Sequence, residues 1–90
     1  MVVRLSPAGY ELVPFAWLGV AARATVANAE EPGADGWRRA VVPIESIRHA
    51  TIEVLKLGKD VEVLEPAELR EQLRDAASAL KTMYEAQPTS

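Results

Sequence analysis

Val61-Glu62-Val63-Leu64-Glu65-Pro66-Ala67-Glu68-Leu69-Arg70 decides how the rest of the chain is read. Val61, Val63 and Leu64 are strand formers whose side chains pack well on a pleated, half-buried surface. Pro66 ends that run and suits the first position of a helix, where no backbone N–H is needed. Glu65, Glu68 and Glu71 put negative charge at the positive end of the helix dipole. Just upstream, Gly58 can close a preceding helix in a left-handed conformation that costs it no Cβ strain. One passage therefore holds a helix end, a turn, a strand, a second turn and a helix start.

Outward from this passage the same reasoning extends in both directions. Beyond Pro66 a helix runs to about Glu85, with Leu69, Leu73, Ala76, Leu80 and Met83 at alternating spacings of four and three. Upstream, Ser46 is a good N-cap. Ile47, Ala50, Thr51, Val54, Leu55 and Leu57 follow on one helical face, opposite Arg48, His49, Glu53 and Lys56. Trp37 to Ile44 reads as a strand, and Asp35-Gly36 before it as a hairpin turn. Residues 20–28 alternate, with Ala22, Ala24 and Val26 opposite Arg23, Thr25 and Ala27, which suits a partner strand although alanine is a poor strand former. Val2–Leu5 opens the chain as a strand. Pro7 then starts a short helix over residues 7–13, which Pro14 interrupts by removing a donor.

Laid end to end, the order is strand, helix, strand, strand, helix, strand and long helix. This predicts an α+β, ferredoxin-like βαββαβ antiparallel sheet with helices on one face plus an added C-terminal helix. Residues 1–86 form one domain and residues 87–90 a flexible tail. The Val61–Leu64 strand should lie beside Val2–Leu5, with the hairpin strands on the other side. Leu5, Ile44, Val54, Leu55 and Leu69 are expected in the core.

Leu57-Gly58, the run Val61 to Pro66 and then Leu69-Arg70 resemble the C-terminal extension, or WCX domain, of bacterial WYL-domain transcriptional regulators. That extension closes with a G-x-x-V-x-V-L-x-P-x-x-L-R run and a helix ending near a tyrosine, where Tyr84 stands here. Asp35-Gly36-Trp37 and Val42-Pro43-Ile44-Glu45-Ser46 are also similar to that family, so the likeness is good over residues 36–84 and loose over residues 1–35. Within the family the chain looks most like the proteasome accessory factor B/C type. No Trp-Tyr-Leu triplet and no helix-turn-helix pattern occurs, and Trp17-Leu18 is not that motif. The binding residues of a WYL domain therefore do not carry over. The resemblance implies a bacterial regulatory or dimerisation domain of a DNA-binding regulator. Its partners would be the WYL and helix-turn-helix domains of that regulator and a second subunit.

Composition narrows the chemistry. Ninety residues with no cysteine allow one small core and no thiolate metal site, which fits a cytoplasmic setting. No apolar run approaches the ~18 residues of a membrane span. A net charge of −3 argues against holding duplex DNA mainly through phosphates. His49 is the only histidine and has no second histidine one turn away, so no metal site is expected. Glu30, Glu31 and Asp35 fall short of a calcium loop. Ser6, Ser46 and Ser78 lack a neighbouring base pattern, and no glycine-rich phosphate loop is present. The chain reads as no enzyme and needs no cofactor.

Two surfaces stand out instead. If Val3 and Leu5 face the helices, Arg4 faces away, and alternation puts Arg23, Arg39 and Trp37 on the same open face. Such a face could pair or stack with a nucleotide or single-stranded nucleic acid; its ordinary alternative is a solvated surface. The second surface is the end of the last helix. A strand of ~5 residues spans about 17 Å and a helix of ~20 residues about 30 Å. Leu80, Met83 and Tyr84 should therefore run past the sheet and form an interface, unless they fold back onto Phe15 and Trp17. A stand-alone ferredoxin-like domain that binds a small molecule is the alternative function.

Overall fold

The computed structural model describes residues 1–86; the expected tail at 87–90 lies outside the described residues. Three strands, β1 (Val2–Leu5), β2 (Arg38–Val41) and β3 (Val61–Glu65), form an antiparallel sheet in the order β2-β1-β3. Around it stand four helices: α1 (Pro7–Ala16), α2 (Gly19–Asn28), α3 (Ile47–Leu57) and α4 (Ala67–Glu85). A single 3-10 turn, Gly58–Asp60, joins α3 to β3.

The strand that follows Gly58 pairs with β1, as the sequence predicts, with Leu5 opposite Val61 and Arg4 opposite Glu62. On its other side β1 pairs with β2, placing Arg4 opposite Arg39 and Leu5 opposite Arg38. Alternation then sorts the two faces. Val3, Leu5, Ala40, Val42, Val61 and Val63 are buried against the helix layer, where Val13, Ala50, Val54, Leu57 and Leu69 meet them. Val3, Leu5, Val13 and Leu69 are fully buried, each stabilising the fold by about 1.5–3 kcal/mol relative to exposure.

Local caps match their sequence signals. The Ser46 hydroxyl accepts from the His49 N–H at 3.0 Å, and Gly58 ends α3 at φ 58°. A second cap forms at the start of α1. The Ser6 hydroxyl accepts from the Gly9 N–H at 2.9 Å and donates to the Asp60 carboxylate at 2.9 Å. Gly9 sits so close to this turn that an added Cβ would lie 2.3 Å from the Asp60 carbonyl oxygen.

The four-stranded ferredoxin-like arrangement is corrected. Residues 20–28 are not a strand and make no hairpin with Trp37–Ile44; they belong to helix α2. Ala21, Ala22, Ala24 and Ala27 explain the outcome, because alanine is the strongest helix former. The side chains that α2 buries, Ala22 and Thr25, are three residues apart and so share a helical face. The buried Thr25 hydroxyl donates back to the Ala21 carbonyl at 2.7 Å.

Smaller corrections concern α1 and the core. Helix α1 continues past Val13 to Ala16, with Pro14 exposed in its last turn. Leu5, Val54 and Leu69 are buried as expected, but Ile44 is half-buried and Leu55 is 41% exposed. Leu57, not Leu55, fills the core position at the end of α3. Trp17 is buried, and its indole N–H donates to the Glu53 carbonyl at 2.7 Å.

Candidate association surface

The face of the sheet turned away from the helices is organised by Arg4. Its guanidinium donates to Glu62 Oε1 at 2.9 Å and to Asp35 Oδ2 at 3.0 Å. It also lies 4.7 Å from the centre of the Trp37 ring, within cation–π range. The Glu62 hydrogen bond is the main reason that Arg4 holds its proton more tightly than usual. Asp35 is held below the usual carboxylate range, first by the Trp37 N–H, which it accepts at 2.9 Å, and then by Arg4.

Of the four residues expected to bind a ligand, three come together. Arg4, Arg39 and Trp37 belong to this face, while Arg23 is exposed on α2 and is not part of the sheet. A convergence of three arginines from three strands is therefore not what the fold builds. Arg4 is already engaged by two carboxylates, whereas Arg39 makes no ion pair among the described residues. Another arginine, Arg38, turns to the helix side and packs 4.2 Å over the Tyr10 ring, leaving its buried Nε without a hydrogen-bond partner among the described residues. Its place opposite Leu5 follows from the same alternation, so strand periodicity could have found it. His49 lies between Glu45 and Glu53 on the exposed side of α3, at 3.9 and 3.6 Å. Among the described residues no group of three or more His, Asp or Glu side chains is placed to hold a metal ion.

Helix α4 makes the other surface. Its sole buried side chain is Leu69, in the first turn, and Leu73 is half-buried. From there outward Leu80 is 41% exposed, Met83 61% and Tyr84 81%. The helix does not fold back: Phe15, at 81% exposure, is also bare. Between the outer part of α4, the free edge of β3 and the end of α3 runs a groove of about 750 Å³. Leu55, Leu73, Ala77 and Leu80 contribute apolar surface to it, and Lys59, Arg70, Arg74 and Lys81 contribute charge. Leu55, which the sequence assigned to the core, is thus a groove residue.

Among the described residues no helix is long and apolar enough to cross a membrane. No curated protein and no solved structure matches the chain significantly. A family model does: the WCX domain, found at the C-terminus of WYL-domain transcriptional regulators, matches residues 1–81, and the chain belongs to that family.

Proposed function

We propose that this WCX domain is the regulatory and oligomerisation part of a bacterial, cytoplasmic WYL-type regulator, and that α4 is the element through which it associates. The observation that carries this reading is the exposure of Leu80, Met83 and Tyr84 on a helix whose first half carries its buried and half-buried residues Leu69, Leu73 and Ala76. A seam of apolar side chains left bare on one helix is the usual mark of an interface. The partners in this reading are the WYL and helix-turn-helix domains of the regulator or those of a second subunit. The narrower likeness to the proteasome accessory factor B/C type rests on the sequence string alone.

Sedimentation equilibrium on an intact WYL regulator bearing this domain tests the reading. Leu80→Glu should weaken subunit association by tenfold or more. Ile52→Glu, at an exposed site on α3 outside the groove, should leave association unchanged. Equal behaviour of the two variants would refute the role of α4.

A second reading, the sensing of a nucleotide or single-stranded nucleic acid on the open sheet face, now rests on Arg39. It stands beside Arg4 in register and is the strand arginine of that face with no carboxylate partner among the described residues. Titration with a nucleoside triphosphate against native chain and Arg39→Ala tests it. Unchanged affinity in the variant would remove Arg39 from any such site.

A further inference from the structure

We propose that the groove beside α4 receives an amphipathic helix whose flanks are acidic, supplied by a polypeptide segment other than a copy of this chain. This rests on the association reading and names the chemistry of what is docked. The argument begins with charge. The whole chain carries −3, yet four cations and one carboxylate, Glu62, line the groove. Glu68, Glu71 and Asp75 of the same helix lie off it. Cations are thus gathered on the flank that faces the opening. Arg74 makes no ion pair among the described residues, and Lys81 reaches only Glu85, at 3.7 Å.

The shape of the surface selects a helix. Leu73, Ala77, Leu80 and Tyr84 follow one another at spacings of four, three and four along α4, the ridge pattern against which a second helix packs. From Leu73 to Tyr84 this ridge extends about 17 Å at 1.5 Å per residue, or three turns. Arg74 and Lys81 flank the ridge as the charged positions beside an apolar helical seam do, where they choose a partner by sign. An added strand is less well served. On the free edge of β3 the Val63 carbonyl is already taken by the Arg70 guanidinium.

The same charges argue against two other occupants. Arg74 and Lys81 lie on one flank of the ridge. An antiparallel second copy of α4 would bring them against their own counterparts, and like charges at such an interface cost affinity. A parallel copy would offer them only the uncharged flank of Gln72, Ala76, Ala79 and Met83. A single nucleic-acid strand would meet a largely aliphatic floor with one aromatic, Tyr84, where stacking platforms need several.

A fluorescein-labelled peptide of about 20 residues, long enough to hold a helix, tests the assignment. It carries leucines at alternating spacings of three and four with glutamates on both flanks; a matched peptide carries lysines instead. Fluorescence anisotropy with the 90-residue chain should show the acidic peptide bound at least tenfold more tightly than the lysine peptide, with the preference reduced by added salt. Arg74→Glu combined with Lys81→Glu, both at exposed positions, should weaken the acidic peptide about tenfold, since each exposed pair turns from modest attraction to repulsion. The reversed chain should now favour the lysine peptide. Circular dichroism verifies that each variant is folded. Equal affinity for both peptides overturns the proposal, as does tighter binding of a labelled oligothymidine. If Leu80→Glu weakens binding of both peptides while charge reversal changes nothing, α4 remains the docking element and the acidic partner is wrong. If neither variant matters, both readings fall.

Discussion

The two edges of the sheet are finished in opposite ways. At the β2 edge, where a fourth strand would have paired, the Asn28 side chain does the work of a strand backbone. Its carbonyl accepts from the Val41 N–H and its amide donates to the Val41 carbonyl, each at 2.7 Å. The Glu30 N–H closes the next position by donating to the Arg39 carbonyl at 2.8 Å. At the β3 edge the Val63 carbonyl is met by Arg70, and the rest of the border opens into the groove beneath α4. An exposed edge invites pairing with another chain unless it is blocked. One edge is thus sealed by hydrogen bonds, whereas the other borders a groove that is partly apolar and rich in cations.

The sharpest break in this comparison lies within α4 itself. Leu69 is fully buried and Leu80 is 41% exposed, although they belong to one seam. Leu69→Ala should destabilise the chain by about 2–5 kcal/mol, read from urea denaturation. Leu80→Ala should stay within about 0.5 kcal/mol. Comparable losses at the two sites would mean that the outer half of α4 is held by the domain's own core, and the groove would lose its claim to a partner.

On the sealed side the expected effect is smaller. Asn28→Ala leaves two backbone groups of Val41 without their partner and should cost about 1 kcal/mol. It should also introduce weak, concentration-dependent self-association through the uncovered strand. If neither stability nor sedimentation changes, Asn28 is not what closes that edge.

Much of this was legible in the sequence, and the reasons are local. Val61 to Arg70 carries strand propensity, a proline and a glycine boundary that all agree, so β3, its pairing with β1 and the start of α4 could be placed. Residues 20–28 carry no such agreement. An alanine-rich run alternates by composition alone, so its period of two carries no weight; alanine's helix propensity decides for helix, and the buried pair Ala22 and Thr25 has helical spacing. Arg23 was lost from the open face as a direct consequence. Leu55 was misplaced for another reason. Helical periodicity groups it with Val54, and both border the groove, but Val54 is buried beneath it while Leu55 is left on its exposed side, a difference that adjacent helical positions alone do not predict. Gly9 gave no signal, because its need for small size comes from Asp60, 51 positions away along the chain.

Across the open face Arg4 ties the two sides together, holding Asp35 of the loop before β2 and Glu62 of β3 at once. This link should have the smallest effect of those considered, and its sign follows from Asp35. The Trp37 N–H and Arg4 both favour the ionised carboxylate, so the folded chain releases that proton at lower pH than the unfolded chain does. Between the folded and unfolded pKa values the unfolded state binds more protons, and stability rises with pH. The contribution is therefore fully present above the unfolded value, near 4 for an aspartate, and is lost as pH falls through the folded one. Asp35→Asn keeps an acceptor for the Trp37 N–H but removes the charge. Melting temperatures of native chain and variant, followed by circular dichroism from neutral pH downward, should differ at neutral pH and converge on acidification. Curves that stay parallel to the lowest pH would show that the Arg4–Asp35 pair does not couple the loop to the sheet.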